Sequence, residues 1–417
     1  MTFLEELEFR GMIKDITDRD LFKKLLDSKA TIYCGFDPTA ASLHIGHLVP
    51  VLMLRRFQQQ GHRVIALVGA GTGLIGDPSG RKDERQLLTL ETAKQNAEGI
   101  KSQLSRFLDF SDPKKTIMVS NYDWLKEIDV ISFLRDYGKN FTINYMLAKD
   151  VVASRLENGI SFTEFSYMIL QSIDFYTLFK KEKCQIQMGG SDQWGNLTAG
   201  LELIRKIDGA DAEAVAFTLP LITKSDGTKF GKSAGGALWL DADLTSPYAI
   251  YQYFLNSMDQ DVIHYLKVFT FLTPTEINSY TEQVRTEPHL RAAQKRLAFE
   301  IVKLMHGETI ANEAVMMSEV LFGGNVGKLS LKQLQECMNG VPTLELSEPK
   351  SLVEVIVDLG AASSRRDARE LLGKGTYTVN GEKVTDINTI LSKDIAIEGK
   401  MIVIRKSKKN YFIVDFK

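Results

Sequence analysis

Thr31-Ile-Tyr-Cys-Gly-Phe36, running straight into Asp37-Pro-Thr39, Leu43-His-Ile-Gly-His47 and Leu48-Val-Pro-Val-Leu-Met-Leu-Arg-Arg-Phe57, sets the architecture of the chain. The first six residues are β-formers with no polar alternation, the mark of a strand covered on both faces. A turn and a helical pattern follow. The same strand signature returns at Arg63-Val-Ile-Ala-Leu-Val68, Thr116-Ile-Met-Val-Ser120, Cys184-Gln-Ile-Gln-Met188 and Ala214-Val-Ala-Phe-Thr218, each separated from the next by helical stretches. Such alternation predicts an α/β fold, a Rossmann-like doubly wound parallel sheet over residues 1–220.

Beyond that layer the periodicity changes. From Ser246 to Phe322 it becomes helical, with Tyr251, Phe254, Leu255 and Met258 at one spacing and Leu290, Ala293, Arg296 and Leu297 at another. Residues 221–245 read as a loop and connector, 246–322 as an α-helical domain, and 323–349, with Gly340 and Pro342, as a linker. Residues 350–417 read as a small α+β module of two short helices feeding a sheet. A length of 417 residues is compatible with about three such domains.

Composition narrows the function classes. With 44% hydrophobic and 25% charged residues the chain is neither disordered nor fibrous. It contains no run of about 18 apolar residues, and its acidic N-terminus resembles no secretory or transit signal, so the expectation is a cytoplasmic protein with no membrane span. Cys34, Cys184 and Cys337 are too scattered for a disulfide framework or a CxxC metal site, and no metal-ligating set is expected. The net charge is −2, yet residues 350–417 carry 13 Lys and Arg against 9 Asp and Glu, a basic end suited to nucleic acid.

Three constellations carry chemistry. His44 and His47 stand three residues apart at a strand-turn-helix junction, where free amides and the helix dipole attract phosphate. Ser42 is the expected N-cap, Pro50 falls in the first turns, and Gly46 leaves room for a flat ring. Lys224-Ser-Asp-Gly-Thr-Lys-Phe-Gly-Lys-Ser233 is a glycine-freed loop whose Lys229 and Lys232 can reach the same phosphate chain. In Phe162-Thr-Glu-Phe-Ser-Tyr-Met-Ile-Leu-Gln-Ser-Ile-Asp174, the polar residues Tyr167, Gln171 and Asp174 form one helical stripe, either a solvent edge or a buried site that needs a partner.

Taken together, His-Ile-Gly-His at 44–47 and Lys-Phe-Gly-Lys-Ser at 229–233 resemble the two signatures of class I aminoacyl-tRNA synthetases. The second departs from the usual wording at Phe230 and Gly231 while keeping both lysines. The order of α/β layer, helical block and basic end module is similar to that of bacterial tyrosyl-tRNA synthetases. That resemblance implies that Tyr33 and Asp174 bond the phenol of L-tyrosine and that Tyr167, Gln171 and Asp77 hold its ammonium. It implies too that Gln193 lies near the carboxylate, that Gly190 and Asp192, in Gln187-Met-Gly-Gly-Ser-Asp-Gln-Trp-Gly-Asn196, meet the ribose of ATP, and that Asp37 and Gly46 belong to the ATP site. Thr39, His44, His47, Lys229 and Lys232 would stabilise charge on departing pyrophosphate, with Mg²⁺ on the phosphates; Arg81 and Arg85 would reach the outer phosphates. Arg365, Arg366, Arg369 and Lys374, with Arg405, Lys406, Lys408 and Lys409, would contact tRNA(Tyr), and a homodimer is implied.

Two other classes fit parts of this pattern. An adenylyltransferase acting on a small cofactor would share the histidine pair but has no use for a long basic appendage. A catalytically silent RNA scaffold would be expected to lack His44, His47 or the loop lysines. Tryptophan is the nearest competing amino acid, and Tyr33 with Asp174 favours tyrosine.

Overall fold

The computed structural model describes the chain except residues 81, 82, 84, 85, 157, 158, 229, 234, 235, 324, 325, 408 and 409 and the side chains at 232 and 233. It divides into two compact units, Met1–Thr245 with Ser257–Leu297, and Ser246–Asn256 with Ala298–Lys417. The helical block read from sequence over 246–322 is thus shared between two units.

In the first unit β1 (Thr31–Phe36), β2 (Val64–Val68), β3 (Thr116–Ser120), β4 (Cys184–Gly190) and β5 (Val215–Leu219) form one sheet in the order 3-2-1-4-5. All neighbours are parallel. β2 and β5 are buried at every position, as apolar runs without alternation require. The strand order reverses between β1 and β4, and the crevice beyond their carboxyl ends is where open α/β sheets bind ligands. Gly35, near the end of β1, is exposed although its strand neighbours are buried. The sheet surface is therefore open at the switch point.

Two buried arginines explain why Ser257–Leu297 joins this unit. Arg10 donates to the carbonyls of Lys267 (3.0 Å), Thr270 (3.2 Å) and Leu272 (2.8 Å), and Arg56 donates to Thr270 while lying 4.4 Å above the Phe271 ring. These carbonyls lie in the last turn of helix Asp259–Phe269 and just beyond it, where a helix end otherwise leaves acceptors without donors. Periodicity could not show this, and it misled at two positions. Helix Pro247–Leu255 buries Tyr251, Phe254 and Leu255 but stops before Met258, which is exposed; Leu290 is also exposed, outside the helix that buries Ala293 and Leu297.

The second unit holds a five-stranded sheet. Its order is Glu382–Val384, Tyr377–Val379, Met401–Arg405, Tyr411–Phe416 and Thr343–Leu346, antiparallel except for the last pair. Alternation in Met401–Arg405 supplies both faces. Ile402 and Ile404 pack with Leu352, Ile356, Ala368 and Leu372 of helices Leu352–Asp358 and Arg365–Gly373. Met401 and Val403 pack with Met317, Leu321, Leu334 and Met338. The segment 323–349 is therefore no simple linker: it carries helix Leu331–Cys337, capped by Ser330 and Gln333, and an edge strand, Thr343–Leu346. Gly340 and Pro342 mark only the turn between them.

His62 makes the first unit acid-sensitive. Its Nδ1–H donates to the Ala30 carbonyl at 2.9 Å, its Nε2 is buried without a partner, and Phe57 packs against the ring. Burial, opposed by the bond to Ala30, holds its pKa below the ordinary histidine value. The unfolded chain then binds the proton more readily, so stability is full above the unfolded value of about 6.5 and falls as pH drops through it. His62→Asn keeps a donor for Ala30 but cannot titrate. Its unfolding free energy should decline less between pH 7 and 5 than that of the unsubstituted chain; parallel profiles would remove His62 as the cause.

Candidate active site

The turn after β1 is shaped by close approach. A Cβ on Gly69 would sit 2.0 Å from Asp37 Oδ1, and one on Gly73 would lie 3.0 Å from Pro38. Thr39 is exposed beyond this turn. The histidines follow. His44 Nδ1 accepts from the Gly46 amide at 3.1 Å, and His47 Nδ1 accepts from the His44 amide at 3.2 Å. The N-cap is thus His44 rather than Ser42, whose hydroxyl accepts instead from Gln103. With both Nδ1 atoms accepting, both rings carry their proton on Nε2 and become donors there. The rings stack at 3.9 Å, and burial lowers the pKa of His44, which keeps it neutral. Gly46 is required by its neighbour: a Cβ would come 2.8 Å from His44 Cε1.

The second motif comes to the same place. Ile45 donates its amide to the Leu238 carbonyl (2.8 Å), Leu240 donates to Leu43 (2.8 Å), and Leu238 donates to Gly231 (3.0 Å). Gly231 has φ +76°, and a Cβ there would meet Ile45 Cγ2 at 2.6 Å, so no other residue fits. The backbone of Lys232 pairs with Ala237 in a short strand; Lys229 lies outside the described residues, as does the Lys232 side chain. Arg81, Arg85, Lys408 and Lys409 are outside them too.

Helix Phe162–Glu182 presents its stripe inward, not to solvent. Tyr167 and Asp174 are buried and Gln171 is half-buried. Tyr167 donates to Asp37 Oδ2 (2.7 Å), Thr72 donates to Asp37 Oδ1 (2.7 Å), and Asn121 Nδ2 donates to Thr72 Oγ1 (2.9 Å). Asp174 ends the network, accepting from Asn121 Nδ2 and from Trp124 Nε1, both at 2.9 Å. Burial outweighs these two bonds and pushes the Asp174 carboxyl up to about 8. Asn121 and Trp124 escaped the sequence reading. The one usable signal was their position just past β3, at the carboxyl end of a sheet strand.

Tyr33 on β1 faces Gln187 on β4 in register. The Tyr33 hydroxyl and the Gln187 amide oxygen are both buried with no hydrogen-bond partner. Burial, then the Asp174 charge, raises the Tyr33 pKa and keeps the phenol protonated. A buried donor left this way costs roughly 1–3 kcal/mol unless a ligand satisfies it. Nearby, Gln193 donates to Asp77 Oδ2 at 2.6 Å, and a Cβ on Gly190 would strike Asp192 Oδ1 at 2.5 Å. Burial and then Asp77 raise the Asp192 pKa; for Tyr167 the causes are burial, then Asp37 and Asp77. Carboxylates thus crowd Tyr167, an environment that suits an ammonium.

In the end module the basic residues divide. Arg365 pairs with Glu354 (2.8 Å) and Lys374 with Glu370 (2.6 Å), whereas Arg366 and Arg369 are exposed. Lys406 donates to the Ala361 carbonyl at 2.7 Å, and Arg405 lies over Tyr411.

Comparison with known proteins agrees with this arrangement. Residues 25–323 match the family model of tRNA synthetases class I (W and Y), and residues 333–414 match that of the tyrosine–tRNA ligase SYY-like C-terminal domain. Tyrosine–tRNA ligase 1 of Bacillus cereus is 53% identical over 419 residues and 100% of both chains; tyrosine–tRNA ligase 2 of the same species is 51% identical over 99% of both. The crystal structure of a C-terminally truncated Aspergillus nidulans mitochondrial tyrosyl-tRNA synthetase superposes with a TM-score of 0.69 at 34% identity, covering 77% of this chain and 94% of that one. A Plasmodium falciparum tryptophanyl-tRNA synthetase shares the fold at 14% identity, with a TM-score of 0.56 over 79% of this chain and 87% of that one. The two motifs joined at the switch point, the polar pocket beside them and the sequence identity along the full length assign one family: the chain belongs to the tyrosyl-tRNA synthetases, class I aminoacyl-tRNA ligases.

Proposed function

We propose that this protein activates L-tyrosine with ATP, forming tyrosyl-adenylate and pyrophosphate, and then transfers the tyrosyl group to the terminal adenosine of tRNA(Tyr). The observation that carries the choice of amino acid is the buried Tyr33 hydroxyl beside Asp174, whose two oxygens are oriented by Asn121 and Trp124. A phenol placed there donates to Asp174 and accepts from Tyr33. Tyr167, Gln171 and Asp77 take the ammonium, and Gln193, held by Asp77, faces the carboxylate. Gly190 and Asp192 receive the ribose.

Catalysis in this reading is positioning and charge stabilisation rather than covalent chemistry. The tyrosine carboxylate attacks the α-phosphate while the Nε2–H groups of His44 and His47, with Thr39, Lys229 and Lys232, stabilise the negative charge on pyrophosphate as it leaves. Asp37 orients Tyr167 and Thr72 at the edge of the ATP site, and Gly46 keeps the backbone open to the nucleotide. Magnesium would accompany the ATP phosphates and supply charge neutralisation there. Pyrophosphate exchange into ATP with each amino acid in turn tests the assignment: tyrosine alone should support it, and exchange driven by tryptophan, or by none, would overturn it.

The reading extends to partners. Val130, Ile131, Leu134, Ile143 and Phe162 are exposed apolar side chains of the first unit, and their burial would favour a homodimer through the catalytic layers. No described helix is long and apolar enough to cross a membrane, and a cytoplasmic site of action fits protein synthesis. The exposed Arg366 and Arg369 grip tRNA phosphates; Arg365 and Lys374, already paired, contribute less. Removing residues after 340 would uncover Leu334 and Met338, so point variants are the cleaner probe. Arg366→Ala with Arg369→Ala should weaken tRNA binding and lower the slope of log K against log salt by about 1.4–1.8. Pyrophosphate exchange should be unaffected. An unchanged salt slope would remove both residues from the RNA contact.

A further inference from the structure

The second motif departs from the usual wording at Phe230 and Gly231, and the structure gives that departure a use. The Phe230 ring stacks on Phe269 with centroids 5.3 Å apart and planes 14° apart, and leans on Tyr265 at 5.2 Å. Both partners are buried in helix Asp259–Phe269, itself held through the arginine-bound segment that follows it. The stem of the loop is tied to the same helix. The Ser225 amide donates to the Asp261 carboxylate (3.1 Å), and the Tyr265 hydroxyl donates to the Thr223 carbonyl (3.4 Å). On its other side the loop meets the histidine motif through Gly231, which presses on Ile45, and through Leu238, which links Gly231 to Ile45.

We infer that Phe230 is a positioning residue that latches the loop of the second motif to helix Asp259–Phe269 and thereby sets how that loop approaches the ATP phosphates. The inference rests on the adenylate-forming reading of the site. Phe230 sits between the two lysines in sequence and next to Gly231, the residue that touches the histidine motif. With the ring seated, the loop is anchored at Ser225, Phe230 and Gly231, and part of the ordering cost of bringing it to the phosphates is met before ATP arrives. Leu and Met are large enough to fill the contact in part, whereas alanine leaves the aromatic shelf of Tyr265 and Phe269 uncovered. The ring contacts of Phe230 lie on helix Asp259–Phe269 beside the second motif, so the latch acts on ATP and not on tyrosine.

The test uses the full-length protein with Phe230→Ala, Phe230→Leu and Asp261→Ala, measuring exchange kinetics for both substrates and the thermal unfolding midpoint. Phe230→Ala should lower kcat/KM for ATP by about ten- to a hundred-fold, while KM for tyrosine stays within about two-fold. Phe230→Leu should recover most of the loss, and Asp261→Ala should show a smaller defect of the same kind. Trypsin should cut the loop of Phe230→Ala faster than that of the parent. Equal losses for ATP and tyrosine, or a lowered unfolding midpoint with unchanged ATP kinetics, would reduce Phe230 to packing and overturn the latch. If the unsubstituted protein shows no tyrosine-dependent exchange, the reading of the site fails and the latch with it, an outcome distinct from any pattern among the variants.

Discussion

His47→Ala should lower tyrosine-dependent ATP–pyrophosphate exchange by about 10²–10³-fold, with tyrosine affinity left nearly intact. Two losses combine. On the proposed reading the variant removes an Nε2–H donor to the leaving pyrophosphate, and it removes the acceptor for the His44 amide, so the turn that fixes His44 loosens. His47→Asn separates them. Its side-chain oxygen can still accept from the His44 amide but has no donor at the ring position, so it should recover part of the loss by restoring His44. His44→Ala should be impaired in the same quantity. Because burial lowers the His44 pKa, the exchange rate should show no dependence on protonating that imidazole above pH 7. A loss confined to tyrosine KM would place the histidines at the wrong substrate.

Asp174→Asn should cost about 3 kcal/mol of transition-state stabilisation with tyrosine, roughly 10²-fold in kcat/KM, and should narrow the preference for tyrosine over phenylalanine. The substitution conserves volume but replaces an acceptor-only group. Trp124 Nε1–H and Asn121 Nδ2–H both point at Asp174, and one of them would face an amide donor instead. The phenol would then lose its own acceptor. On the proposed reading, phenylalanine would leave the buried Tyr33 hydroxyl without a partner, and the discrimination would follow from that loss. A pH profile adds an independent check. Burial lifts the Asp174 carboxyl to about 8, and the ionised form is the one that accepts the phenol proton. kcat/KM for tyrosine should therefore rise as pH increases towards and through about 8, and Asp174→Asn should lack that rise. If ATP KM changed as much as tyrosine KM, Asp174 would not be a tyrosine-binding group.

The parts of the molecule that were legible in advance share a physical basis. β1 to β5 appear where the β-rich runs stand, within one or two residues at each end, because runs of β-branched and apolar residues suit strands packed within a sheet. The junction of strand, turn and histidines was equally readable, since glycine, proline and histidine each restrict the local backbone. The misreadings have reasons as well. Met258 continues a helical spacing that the chain abandons at Asn256, and spacing alone cannot register a helix end. Residues 323–349 looked like a linker because Gly340 and Pro342 outweighed a seven-residue helix and a four-residue strand. Ser42 has the chemistry of an N-cap, but its hydroxyl is engaged by Gln103 and the Leu43 carbonyl, and the Gly46 amide donates to the His44 ring instead.

Local order in the chain settled the class of fold, the position of the ligand crevice and the residue types available for nucleotide chemistry, because those follow from short-range periodicity and backbone restriction. Folding settled which groups meet. Asn121 and Trp124 reach Asp174 across some 50 residues of chain, Phe230 finds Phe269, and the turn at Gly231 closes on Ile45. A hydrogen bond or a stacked ring is decided by distance in space, and no spacing along the polypeptide encodes that distance until the core has packed.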